Sequence, residues 1–260
     1  MKFLLEPRDG TWVAMNEQLR NKDVEWPDLS TAISNLRERV YSAQKWFMDL
    51  DDNHTPSPAK VIAKRAIGTS HFDLAYVQWA AGTAWALAIQ GKASESTRWQ
   101  AYVDSFLRTP KALEEVKKQF KPESLTFYPG VVQWCRLVTD CNARLYYVSR
   151  NIAEVVLNYT TALDIQSNGI IDMWHHGEVF NKAEFVKQHS FRHPLPSYYH
   201  PTFGVDGDSA EDGDMIDVIR QHRVPVVGIQ SMNSPRDHLD PRFDYAVSKD
   251  RRGLVKLLQS

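Results

Sequence analysis

The chain has 260 residues, 43% hydrophobic and 24% charged, with a formal net charge of -1 at pH 7. This is ordinary globular usage, and it excludes a disordered or fibrous chain. The near-neutral balance without a basic stripe argues against electrostatic capture of nucleic acid or anionic lipid.

Residues 1–43 read as an N-terminal helical extension. Breaks at Pro7-Arg8-Asp9-Gly10 and Trp26-Pro27-Asp28 precede a run in which Ile33, Leu36, Val40 and Ala43 fall at helical spacing, with Ser30 or Thr31 as a possible N-cap. From 44 to 50 the chain becomes short, apolar and strand-like, and it ends abruptly at Asp49. The interval 58–124 reads as helix throughout, with Phe72, Tyr76, Trp79 and Trp85 on helical segments, and as a unit it looks like an inserted cap. Its most apolar stretch, 74–89, is shorter than the roughly 20 residues a bilayer needs, so no membrane span is expected.

Phe127-Tyr128-Pro129-Gly130 is a turn signal that marks the return from the cap. Strand-like runs then follow at 144–148, 169–173, 203–205 and 224–229, separated by helical patterns at 129–138, 152–163, 182–189 and 210–220. Alternation of strand and helix predicts an α/β fold with a parallel sheet covered on both faces. The core spans 44–57 and 125–260, and the all-helical cap enters after the first of these strands. Only Cys135 and Cys141 are present, too few and too close for a disulfide framework, and no cleavable apolar segment follows Met1-Lys2, so a cytoplasmic setting is expected.

Ligands in such folds collect beyond the carboxyl ends of the strands. The polar residues at or just after those ends are Asp49, Asp51 and Asp52, then Ser149 with Arg150, Lys182, and finally Asp208 with Asp212. Phosphoryl transfer needs a nucleophile, neutralisation of the equatorial oxygens and a proton donor for the leaving group. Of Asp49 and Asp51, one carboxylate can attack phosphorus while the other, kept protonated, serves the departing oxygen. Asp49, Asp51, Asp208 and Asp212 in one crevice would repel each other and a phosphate dianion unless a cation sits among them. All candidate ligands are oxygen donors, which favours Mg²⁺ over zinc. Ser149, Arg150 and Lys182 are the expected phosphate-binding residues, Lys182 at a predicted helix start where backbone N–H groups also favour an anion.

Taken in order, these residues resemble the haloacid dehalogenase superfamily of phosphohydrolases. The first motif looks like Phe47-Met48-Asp49-Leu50-Asp51-Asp52, the second like Tyr146-Tyr147-Val148-Ser149, the third like Lys182, and the fourth like Gly207-Asp208-Ser209-Ala210-Glu211-Asp212. The resemblance implies a Rossmann-like core with a helical cap. It also implies that Asp49 is the nucleophile, Asp51 the acid/base, Ser149 and Lys182 the phosphoryl clamps, and Asp208 a metal ligand. Asp212 would be a water-mediated ligand or the partner that orients Lys182. Where the family has Thr two residues after its second Asp, this chain has Asn53.

The expected function is Mg²⁺-dependent hydrolysis of a small phosphorylated metabolite through an aspartyl-phosphate on Asp49. Two alternatives stand beside it: phosphomutase-type transfer on the same core, and a catalytically vestigial binding or scaffold protein. The histidines offer less. His175 and His176 are adjacent, so on an extended segment they point to opposite faces, and His189, His193 and His200 accompany no matching Cys or acidic pattern for zinc.

Overall fold

The computed structural model describes residues 1–16, 28–50, 52–56, 121–122, 125–149, 153–163, 169–172, 182–192 and 201–260, with isolated positions 83, 86, 87, 90, 92, 95 and 98. Asp51, Arg150, His175, His176, His193, His200 and nearly all of the expected cap lie outside the described residues.

Two strands, β1 (Lys2–Arg8) and β2 (Thr11–Met15), precede helix α1 (Leu29–Ser42) and strand β3 (Ala43–Met48). Helix α2 (Val131–Asp140), β4 (Arg144–Ser149), α3 (Ala153–Ala162) and β5 (Gly169–Asp172) come next. The chain continues through α4 (Lys182–Phe191), β6 (Thr202–Gly207), α5 (Ala210–Gln221), β7 (Val226–Met232), β8 (Tyr245–Ser248) and α6 (Arg252–Gln259). Among the described residues the eight strands form one sheet in the order β1-β2-β8-β7-β6-β3-β4-β5. The run from β8 to β5 is parallel throughout, and β1 and β2 extend it antiparallel.

Parallel strands buried on both faces read as continuous apolar runs, and the two cores show why. Trp46 and Met48 of β3, Leu145 and Tyr147 of β4, and Val227 and Ile229 of β7 point to one side. They meet Leu36 and Val40 of α1, Trp134 and Val138 of α2, Tyr159 of α3 and Leu254 and Leu258 of α6. Phe47, Tyr146, Val148, Phe203 and Val205 point the other way, onto Val186 of α4 and Met215, Ile216 and Ile219 of α5. Trp46 and Trp134 meet edge to face at 5.1 Å on the first side.

The expected helical extension over 1–43 is corrected at its start. Residues Lys2–Met15 form a β-hairpin, and only α1 is helical among the described residues before β3. Asp9 and Gly10 carry the turn with φ of 49° and 77°, the left-handed pair that a tight hairpin requires. Beyond the turn, Trp12 and Ala14 enter one core and Val13 the other, a period-2 pattern that a helix cannot satisfy. The hairpin docks on β8 through Val13↔Val247 and its neighbours, a strand of four residues with no counterpart in the predicted set.

Strand order reverses at β3, which has β4 on one side and β6 on the other. A sheet of this kind opens a crevice at that switch point, at the carboxyl ends of the strands.

Candidate functional site

Asp49 is the first residue past β3. Met48 is level with Asp206 of β6 and with Tyr147 of β4, so Asp49 and Asp208 leave neighbouring strand ends, with Ser149 closing β4 beside them. The Asp49 N–H donates to the Asp206 carbonyl at 2.9 Å, which locks the two strand ends together. Asp49 and Ser149 are both buried.

Lys182 opens α4 and is itself buried. Its Nζ lies 2.8 Å from Asp49 Oδ1 and 2.6 Å from Asp212 Oδ1, a bridge between two strand-end segments. Burial alone would depress this ammonium, but the Asp212 and Asp49 carboxylates overcome it and hold the Lys182 pKa above the ordinary lysine value.

Asp212 is fixed by its own helix. Its Oδ2 accepts from the Asp208 and Ser209 amides at 3.0 and 3.1 Å and from the Ser209 hydroxyl at 2.8 Å, which makes Ser209 and Asp212 the capping box of α5. Gly207 is required there, because a Cβ would overlap the Asp212 side chain. Asp212 thus stands against Lys182 and also belongs to the acidic group at the strand ends.

One carboxylate oxygen from each of Asp49, Asp208 and Asp212 falls within 4.8 Å of the others. Burial, and then the Asp212 charge, push the Asp208 pKa up to about 7. A crowded, desolvated all-oxygen set fits a hard divalent cation such as Mg²⁺, whose charge would relieve that repulsion.

Lys249 has no motif to mark it, and Tyr128 is marked only as part of a turn signal. Lys249 follows β8 directly, with Nζ 3.9 Å from Asp52 Oδ1 and 5.4 Å from the centre of the Tyr128 ring. The Tyr128 phenol is raised to about 12 by partial burial, then by the Asp52 and Asp208 charges.

A second polar group lies beneath the strand ends with no exposure at all. Asp206 Oδ1 accepts from Arg251 Nη2 at 2.6 Å, while its Oδ2 meets His54 Nε2 at 3.0 Å and accepts from Trp134 Nε1 at 2.7 Å. His54 Nδ1 is 2.9 Å from the Tyr147 hydroxyl. Burial disfavours the imidazolium, yet the Cys135 sulfur and the Asp206 carboxylate outweigh it and raise the His54 pKa to about 9. Burial works against the Asp206 carboxylate too, but Arg251 and His54 hold its pKa below the usual range. The only available hint was an acid inside an otherwise apolar strand, two residues before Asp208.

No protein-family model matches the sequence, and a search of curated proteins found no match. Solved structures do match. A cytosolic 5'-nucleotidase IIIB bound to cytidine superposes with a TM-score of 0.58 at 12% identity, covering 94% of this chain and 96% of that one. A phosphoserine phosphohydrolase-like protein from Francisella tularensis gives 0.53 at 15% identity, covering 83% and 99%. A substrate-bound phosphoserine phosphatase gives 0.52 at 15%, covering 83% and 97%. The fold is haloacid dehalogenase-like. Within the haloacid dehalogenase-like core, Asp49, Lys182, Asp208 and Asp212 converge at the switch point of the sheet. Among the described residues no helix is long and apolar enough to cross a membrane.

Proposed function

We propose that this chain is a Mg²⁺-dependent phosphomonoesterase that acts on a small phosphorylated metabolite through an aspartyl-phosphate on Asp49. One observation carries the reading: Lys182 Nζ bridges Asp49 Oδ1 and Asp212 Oδ1 at the crevice, with Asp208 alongside. The Lys182 ammonium orients Asp49, and it can neutralise a phosphoryl oxygen as charge develops.

In this reading the Asp49 carboxylate attacks phosphorus as the bond to the leaving oxygen breaks, and Asp51 gives that oxygen its proton. Asp51 then takes a proton from water, whose oxygen attacks the same phosphorus and frees Asp49 with release of inorganic phosphate. Ser149, the last residue of β4, and Arg150, next in the sequence, are the remaining candidates to hold phosphoryl oxygens. Asp49, Asp51, Asp208 and Asp212 would hold Mg²⁺, which when bound supplies positive charge at the transferring group. The fold shared with a 5'-nucleotidase and a phosphoserine phosphatase supports a small ester as substrate. A helical cap over 58–124 and a cytoplasmic setting belong to the same reading.

The test is phosphate release from p-nitrophenyl phosphate and a panel of metabolite esters. Turnover should require Mg²⁺ and vanish in Asp49→Asn. A folded, Mg²⁺-supplied wild type that hydrolyses no ester in the panel overturns the reading.

A further inference from the structure

The departure at Asn53 has a partner far away in sequence. Asn53 Nδ2 donates to the carbonyls of Asp49 and Asp206, both at 3.0 Å. Its Oδ1 accepts from Ser231 Oγ at 2.6 Å and from Arg251 Nη2 at 2.7 Å. Two donors and two acceptors use the full capacity of a carboxamide, and they fix which way it faces. Asn53, Asp206 and Arg251 are wholly buried, and Arg251 is itself anchored by Asp206 Oδ1 at 2.6 Å and the Ser248 carbonyl at 3.2 Å.

We propose that Arg251 is a positioning residue for Asp49, acting through Asn53, and that the carboxamide stands where the family has Thr because this chain places a guanidinium beneath the loop. The proposal rests on the reading of Asp49 as the nucleophile. A Thr hydroxyl has one hydrogen to donate, so it cannot serve both carbonyls and also accept from Ser231 and Arg251 in the same geometry. The Asp49 peptide is thus held twice: its N–H by the Asp206 carbonyl, its C=O by Asn53, with Asn53 braced from behind by Arg251. Arg251 is too deeply buried to touch substrate, so its influence passes through the backbone of the attacking residue.

The experiment compares Asn53→Thr, Arg251→Lys and the double variant with wild type. Its readouts are kcat and KM for p-nitrophenyl phosphate with Mg²⁺, the urea-unfolded fraction, and NMR hydrogen exchange at the Asp49 amide. Asn53→Thr should lower kcat of the folded protein by about tenfold or more, as misplacement of a reacting group does. KM should stay within about twofold, since the contact is made to the nucleophile and not to the ester. Arg251→Lys should lower kcat in the wild-type background and add little in the Asn53→Thr background.

A folded Asn53→Thr protein with wild-type kcat and unchanged Asp49 exchange overturns the proposal, because a packing role predicts lost stability alone. The exchange readout needs no turnover. If wild type hydrolyses nothing, the phosphatase reading fails on that result, while faster exchange at Asp49 in Asn53→Thr still supports the positioning contact.

Discussion

Asp212 binds Lys182 through one carboxylate oxygen, at 2.6 Å, while its other oxygen is saturated by three donors from the turn that opens α5. The lysine is thereby pinned to a helix N-terminus and cannot follow Asp49 if that loop moves.

Asp212→Asn is expected to remove half of the buried countercharge of Lys182 while keeping its shape. Breaking one side of such a pair costs about 3 kcal/mol, read as a lower urea midpoint. Turnover should drop by about 10²-fold as the cation loses its fixed place. Wild-type turnover in a folded Asp212→Asn protein would show that Asp49 alone suffices to place Lys182.

The His54 pair predicts a pH dependence of stability. Its pKa is about 9 in the folded chain against an ordinary 6.5, so the stabilisation is fully present below 6.5 and is lost as pH rises through 9. A shift of that size corresponds to about 3 kcal/mol. Urea midpoints measured between about pH 6 and about pH 9 should fall with rising pH in wild type. In His54→Gln the slope over that window should flatten. An unchanged slope in the variant would assign the dependence to another group.

Mg²⁺ should raise the melting temperature, because it binds the gathered carboxylates and not the unfolded chain. At a hundredfold excess over Kd the stabilisation is about 2.7 kcal/mol. Asp208→Asn should abolish the shift in a thermal scan, and chelation should reverse it in wild type. A shift that survives Asp208→Asn places the ion elsewhere.

Gly10 sits at φ 77° in the hairpin turn with nothing within 4 Å of an added Cβ, so Gly10→Ala tests backbone strain free of crowding. The expected loss is about 1 kcal/mol, seen by urea unfolding, with turnover of the folded protein unchanged. No measurable loss would mean that the turn is not held in this conformation in solution.

Much of the core was readable because buried parallel strands announce themselves as apolar runs. Those ending at Met48 and Ser149 needed only that pattern, and Lys182 and Asp212 stand out in the sequence only through their order along the chain. The hairpin was not readable in the same way. Asp9-Gly10 reads as a break, and the five residues Thr11–Met15 are too short a run to outweigh the helical pattern after them. Strand β8, at four residues, is shorter still. His54 and Arg251 were invisible for a different reason: a buried ion pair between residues 206 and 251 is a tertiary fact with no local periodicity. Asn53 was visible as a substitution, but its meaning depends on Arg251.

The docking of β2 on β8 joins segments more than two hundred residues apart, with the Trp12 amide bonded to the Ser248 hydroxyl across 236 positions. A polypeptide emerging from the ribosome therefore exposes β1 and β2 long before the strand they lean on has been made. Until then β2 presents a bare edge. The brace beneath Asp49 is equally late, since Arg251 follows β8, so Asn53 and the Asp49 carbonyl it holds wait for that segment to be made.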